Sequence, residues 1–355
     1  MPRMLVAKEP SVAAFAEYED RPIQPDEIRC KVLYAAPKHG TELGDFKSKS
    51  IHATERFDEE WQLFLPRPEG EHGIPFGKWN LGTQWVGRVL EVGAEVKDFG
   101  VGDLACSYGG IRETHIVKAV DNYRCRKMED ISLWKSALCY DPARFALGGV
   151  RDSHVRPGDA VAIYGMGAIG LLAAQLCVKL GAYPVIAIDP IEHRRQIARK
   201  QGAHYVFDPT GGIDIGVEMK KLTGKRGVDT IIETSGAASA LQSALRGLAY
   251  GGTIAYVAFA KPFTQIEFGR EAHFNNAKLI FSRACSYPLP DYPRWDGQRI
   301  EDVVWHMLMT RYLDGSDIIY PVVPFAESDE AYMRYVDREP MHSIKLGVQF
   351  EEESL

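Results

Sequence analysis

The sequence predicts an α/β protein of two domains, one mostly β and one a doubly wound parallel sheet. Three observations carry that prediction. The chain has 355 residues, more than a single hydrophobic core usually serves, since cores stop growing at about 250–300 residues. Its first half consists of short β-type runs punctuated by glycine and proline, with little helical periodicity. From about residue 155 strands alternate with amphipathic helices, the pattern of a parallel sheet covered on both faces.

In the first half, 27–35 (EIRCKVLYA), 87–92 (GRVLEV) and 114–117 read as strands. Between them, 47–80 carries few periodic apolar positions and holds Pro66, Pro68 and Pro75, which predicts a long surface excursion. In the second half, 160–164 (AVAIY) is a strand, followed by GMGAIG and a helix to Leu180. Ile169, Leu172, Ala173, Leu176 and Leu180 share one face of that helix, and Gly181 is placed to cap it. A second strand, 184–188, ends at Asp189, and further strands are expected at 205–207, 228–233 and 253–259. The apolar run 278–286 (KLIFSRACS) reads as an edge strand suited to self-association, and a homodimer or homotetramer is expected. An amphipathic helix follows at 298–313, with Ile300, Val303, Val304, Met307 and Leu308 inward.

Composition sets bounds on function. Apolar residues make up 45% and charged residues 25%, ordinary globular usage. A net charge of −6 argues against a nucleic-acid partner. No run approaches the roughly 18 apolar residues of a membrane helix, and residues 1–10 contain no signal-peptide core. Six cysteines, at 30, 106, 125, 139, 177 and 285, form no CxxC pair, which reads as reduced thiols. The expectation is a cytoplasmic protein acting on a small molecule, without nucleic-acid or membrane partners.

The glycine motif specifies the chemistry. Gly165, Gly167 and Gly170 stand between a predicted strand and a predicted helix. The first permits a tight turn, the second lets a pyrophosphate approach the backbone, and the third lets helix and strand pack closely. With Met166, Ala168 and Ile169 they present free N–H groups and a positive helix end to a diphosphate. Asp189, nineteen positions after Gly170, closes the second strand. A carboxylate there accepts from both ribose hydroxyls of NAD and repels the 2′-phosphate of NADP; its structural alternative is a strand-end cap. Arg194 and Arg195 lie close enough in sequence to soften that discrimination. NAD is the expected cofactor, on a Rossmann domain.

These motifs together resemble the medium-chain dehydrogenase/reductase superfamily, which includes the zinc alcohol and polyol dehydrogenases. KHGTE (38–42) stands where zinc members have Cys-Gly-Ser/Thr-Asp, and LGTQWVGRVLEVG (81–93) resembles their Gly-His-Glu and following strand. VGD (101–103), YDP (140–142) in place of Glu-Pro, and SIKLGVQF (343–350) complete the likeness. GTE with GTQWVGRV is locally similar to a subgroup related to bacteriochlorophyllide dehydrogenase, where the zinc histidine is also absent. The resemblance implies a GroES-like catalytic domain from 1–145 and 296–355, with the dinucleotide domain inserted at 146–295 and substrate in the cleft. It also assigns Lys345 to the pyrophosphate, against the alternative of a solvated surface lysine.

At the metal the pattern breaks. Aligned by motif, the ligand positions hold His39, Thr83 and Asp141, and Gln84 replaces the acidic residue after the family histidine. A threonine hydroxyl is a poor zinc ligand, and His72 from the excursion has no spacing rule to recommend it. A zinc-free member is expected. Without a Lewis acid the alcohol proton needs a nearby base, and His39 suits it, with Thr41 at the position of a relay hydroxyl. Asp141, Glu42 and Gln84 are candidates to orient the histidine or bind substrate hydroxyls, and Tyr108 is a candidate donor to a carbonyl or else a packing residue. This polar set points to an NAD-dependent alcohol–ketone oxidoreductase for a sugar, polyol or cyclitol. The competing readings are a zinc-free enone or quinone reductase, a zinc-dependent polyol dehydrogenase with an atypical site, and a non-catalytic NAD(H)-binding protein.

Overall fold

The computed structural model describes residues 1–259 and 265–351. The chain divides into two compact units, Met1–Trp134 with Ile319–Leu355, and Lys135–Ile318.

The first unit opens with a hairpin of β1 (Arg3–Glu9) and β2 (Val12–Glu17). Then come β3 (Glu27–Ala36), α1 (His39–Phe46), the short hairpin β4 (Glu55–Asp58) and β5 (Leu63–Pro66), β6 (Gln84–Val92), β7 (Leu104–Tyr108), β8 (Thr114–Lys118) and β9 (Arg126–Met128). Ile28, Cys30 and Val32 of β3 are buried while Arg29 and Lys31 are only partly so, the alternation of a strand with one face on a core. The core gathers Leu5, Ile28, Trp85, Val89 and Leu346. The excursion over 47–80 carries the β4–β5 hairpin, with Phe57, Trp61 and Leu63 exposed.

The second unit begins in α2 (Trp134–Ala137) and continues through α3 (Tyr140–Asp152), β10 (Val161–Tyr164), α4 (Ala168–Lys179), β11 (Val185–Ile188), α5 (Glu192–Lys200) and β12 (Tyr205–Phe207). After these come α6 (Ile215–Leu222), β13 (Val228–Glu233), α7 (Ala238–Gly247), β14 (Leu248–Tyr256), α8 (Glu271–Phe274), β15 (Lys278–Phe281) and α9 (Gly297–Met309). Its six strands run parallel in the order β12-β11-β10-β13-β14-β15. The order reverses at β10, the switch point where doubly wound sheets bind ligands. The chain then returns to the first unit as β16 (Ile319–Pro324), α10 (Ser328–Tyr332) and β17 (Lys345–Gln349). Among the described residues no helix is long and apolar enough to cross a membrane.

The unit boundaries fall at 134/135 and 318/319, not at 145/146 and 295/296. The reason is α3, a helix that the sequence pattern hides. It carries Gly148-Gly149 in its interior, a poor helix signal. The glycines are there for closeness: an added Cβ would lie 2.7 Å from Ala284 Cβ at Gly148 and 2.7 Å from Val257 Cγ2 at Gly149. The helix therefore packs on α4 and α9 and takes 135–152 and 297–309 into the second unit.

Two strand pairings position the first unit's polar residues. β3 pairs antiparallel with β6 so that Ala36 faces Gln84, and the Thr83 amide donates to the Ala36 carbonyl at 3.0 Å. β17 pairs with β3 through Val348 and Ala35. The start of α1, the start of β6 and the start of β17 thus meet at one end of the seven-stranded sheet.

Candidate functional site

In the second unit the GMGAIG segment forms the turn between β10 and α4. Gly165 has φ +88°, and an added Cβ would meet the Ser235 amide nitrogen at 2.9 Å, so glycine is required twice over. At Gly170 an added Cβ would collide with the Gly165 carbonyl oxygen, the close helix–strand approach expected of the third glycine. Gly167 caps α4 and an added Cβ there meets nothing within 4 Å, leaving space over the helix N-terminus. An open helix start with free N–H groups fits a diphosphate. Ala168 and Ile169 supply the first helical turn.

Asp189 lies at the end of β11, buried. Its Oδ2 accepts from the Met166 amide at 2.7 Å and its Oδ1 from the Ile191 amide at 2.8 Å. It therefore caps its own strand end and ties down the glycine turn, while each oxygen keeps a second lone pair for a ribose hydroxyl. Arg194 Nη1 stands 4.0 Å from Oδ2, and Arg195 Nη1 donates to the Asp189 carbonyl at 2.7 Å and approaches Asp208 at 3.3 Å. Thr234 Oγ1, which the sequence reading did not single out, donates to the Gly165 carbonyl at 2.8 Å and steadies the turn from β13.

The first unit assembles a second polar cluster. Glu42, on α1, is buried and accepts from two hydroxyls: Thr83 Oγ1 to Oε1 at 2.8 Å and the Tyr332 phenol to Oε2 at 3.0 Å. Burial pushes the Glu42 carboxyl above its ordinary range, against the two hydroxyl donors, the Lys38 backbone contact and the charge of Lys345. Tyr332 is pushed up in turn, first by burial and then by the carboxylate it touches. Thr83 is only partly buried, as are His39 and Thr41 on α1, whereas Gln84 is fully buried at the head of β6. Tyr332 was not anticipated; it belongs to no motif, and only the fold carries it from 332 to residue 42.

Four of the candidate residues have the following partners in the structure. His39 Nε2 accepts from the Leu346 amide at 2.8 Å. A neutral imidazole accepting at Nε2 carries its proton on Nδ1, so the lone pair that a base needs is taken by the backbone. Asp141 belongs to the second unit, where Arg144 Nη2 stands 3.4 Å from Asp141 Oδ1 and Arg144 Nη1 donates to Glu301 Oε1 at 2.6 Å, all three side chains buried. Lys345 is neither a surface lysine nor directed at solvent, since its Nζ donates to the Pro37 carbonyl at 2.6 Å inside the first unit. Tyr108, at the end of β7, packs under Arg124, whose guanidinium lies 5.6 Å from the ring centroid, and its carbonyl accepts from Trp85.

Zinc does not fit the residues at the aligned ligand positions. His39 is engaged through Nε2, the Thr83 hydroxyl donates to Glu42, and Asp141 is paired with Arg144. His72 makes its contacts within its own region, to Ser48 at 3.0 Å and Ile74. Among the described residues no group of three or more His, Cys, Asp or Glu side chains is arranged to hold a metal ion. None of the six cysteines is in a disulfide, and of the six Cys285 alone is exposed.

Comparison with known proteins finds dehydrogenases. A family profile described as zinc-binding dehydrogenase matches residues 168–294. The D-guloside 3-dehydrogenase of Escherichia coli K12 is 57% identical over 350 residues, 98% of this chain and 100% of that protein. Among solved structures, galactitol-1-phosphate dehydrogenase from Escherichia coli superposes with TM-score 0.74 at 20% identity, covering 98% of this chain and 99% of that one. A protein from Sinorhizobium meliloti 1021 described as a zinc-binding dehydrogenase and bound to NADP gives TM-score 0.74 at 20% identity, with the same coverage.

Proposed function

The chain belongs to the zinc-binding dehydrogenase family of the medium-chain dehydrogenases/reductases, and from that premise we propose that it interconverts a secondary alcohol and a ketone on a sugar-type substrate without catalytic zinc. It is a dehydrogenase, and its redox partner is a pyridine nucleotide. The observation that carries the substrate class is the full-length likeness to a D-guloside 3-dehydrogenase, which favours a ring hydroxyl at the 3-position of a glycoside. The polar cluster of the first unit supports it: Thr83 and Thr41 are partly exposed hydroxyls of the kind that bind sugar hydroxyls. Glu42 already has two donors and so makes no demand of its own on the substrate.

Gly165 to Gly170 would hold the diphosphate, and Asp189 the adenosine ribose. When bound, the nicotinamide ring supplies the hydride acceptor. The carboxylate of Asp189 favours NAD over NADP by repelling a 2′-phosphate, with Arg194 acting in the opposite direction. A cytoplasmic location accords with six cysteines of which none is in a disulfide. Association to at least a dimer is supported by β15, the edge strand of the six-stranded sheet, where Phe281 is exposed.

The test is a panel of glycosides, polyols and cyclitols with NAD or NADP, followed by reduced-nucleotide absorbance and identification of the keto product. Oxidation of a glycoside at the 3-position is expected. Turnover only on enones or quinones would replace this reading with the reductase, and nucleotide binding without any turnover would favour a non-catalytic protein. Elemental analysis should find no stoichiometric zinc; about one zinc per chain, lost with activity on chelation, would overturn the metal-free proposal.

A further inference from the structure

We propose that Thr83 and Glu42 are the proton path of this enzyme: the substrate hydroxyl gives its proton to Thr83 Oγ1 as Thr83 gives its own to Glu42 Oε1. The inference rests on the alcohol-oxidation reading and names the base that reading needs. Thr83 is partly exposed while Glu42 lies buried behind it, and the hydroxyl already donates to the carboxylate at 2.8 Å. The Tyr332 phenol holds the other oxygen at 3.0 Å, which fixes the carboxylate with Oε1 toward Thr83. The competing base, His39, has its Nε2 lone pair committed to the Leu346 amide.

The step balances. The substrate C–H bond breaks with its electron pair going to the oxidised pyridine nucleotide, and the O–H bond breaks as C=O forms. The released proton stays on Thr83, whose own proton leaves Glu42 a neutral acid. Reduction runs the same path backwards. Burial raises the Glu42 carboxyl above its ordinary range, the direction that makes a carboxylate a stronger base. The ionisable groups facing it are Tyr332 from α10 and Lys345 from β17, with His39 on its own helix, while Asp45 and Asp337 act on Tyr332.

The full-length enzyme is tested as Thr83→Val, Thr83→Ser and Glu42→Gln, with a glycoside and NAD. Thr83→Val and Glu42→Gln are expected to lower kcat by about 10²–10⁴-fold, while Thr83→Ser stays within a few-fold of wild type. Nucleotide affinity, read by NADH fluorescence, should be unchanged in all three. Only ionised Glu42 accepts a proton, so the wild-type rate rises with pH through its raised pKa, and Glu42→Gln loses that limb. A substrate-free readout is the infrared carboxylic-acid band, present in wild type, absent in Glu42→Gln, and titrating above the ordinary carboxylate range. Both variants retaining wild-type turnover and pH dependence would overturn the relay and leave the functional reading intact, as would a band titrating in the ordinary range. A wild type inactive on every hydroxylated substrate would overturn the functional reading and the relay with it.

Discussion

Two buried carboxylate clusters, one in each unit, meet the same physical problem in opposite ways. In the second unit Asp141 and Glu301 share the guanidinium of Arg144, so charge is answered with charge. In the first unit Glu42 is held by two neutral hydroxyls, and the charge of Lys345 ranks behind both of them. A desolvated carboxylate with a bonded cation is a structural fixture, since breaking the pair strands a charge. A desolvated carboxylate with hydroxyl donors can gain and lose a proton without losing its partners. The contrast separates a group that holds a helix pair together from one suited to chemistry, although both stand at motif positions that look equally catalytic in the sequence.

The largest expected effect tests the first half of that contrast. Arg144→Met leaves Asp141 and Glu301 buried without their cation and should cost about 3–5 kcal/mol of stability. Denaturant unfolding reads it directly, and a loss below about 1 kcal/mol would show that the three charges are not a unit.

A second effect sharpens the contrast by pH. His115, on β8 of the first unit, is buried against Trp85 with ring centroids 4.9 Å apart, and its Nε2 lies 2.8 Å from the Gly110 carbonyl. Burial lowers its pKa to about 3. Between that value and about 6.5 the unfolded chain binds a proton that the folded chain refuses. Stability therefore falls as pH drops through this window, by up to about 1.4 kcal/mol per pH unit, and is unaffected by this group above it. Replacement by Phe should flatten the acid limb of an unfolding-against-pH series; an unchanged slope would mean that His115 is not the group responsible.

At the nucleotide site, Asp189→Gly should lower NAD affinity by about tenfold, near 1.4 kcal/mol, and erase any preference over NADP. Calorimetry with both nucleotides checks this, and equal affinities in the wild type would remove the proposed discrimination. The smallest effect belongs to His39→Ala. With its Nε2 spent on a backbone amide, turnover should fall less than about tenfold and the pH profile should keep its shape, whereas a base would cost about 10²–10⁴-fold.

The glycine turn was legible in the sequence because backbone makes it. A glycine is demanded wherever φ is positive, as at Gly165, or wherever two backbones touch, as at Gly170, and an acidic strand end such as Asp189 falls within the same local stretch. Helix α3 was not legible, since Gly148 and Gly149 serve contacts with Ala284 and Val257 more than a hundred positions away. The excursion over 47–80 was correctly expected to be irregular, and its short hairpin was not.

What the sequence determined alone, then, is the glycine turn and the alternation of strands and helices. These are local, and propensity or a short spacing decides each of them. Tertiary structure decided which polar residues meet. Glu42 finds Tyr332, 290 positions later in the chain, and His39 finds the Leu346 amide, because β17 and β6 both pair with β3 at the same end of one sheet. Asp141 goes to Arg144 because three positions along a helix place them on one face. Hydrogen-bond partners follow from register and burial, which only the folded chain supplies.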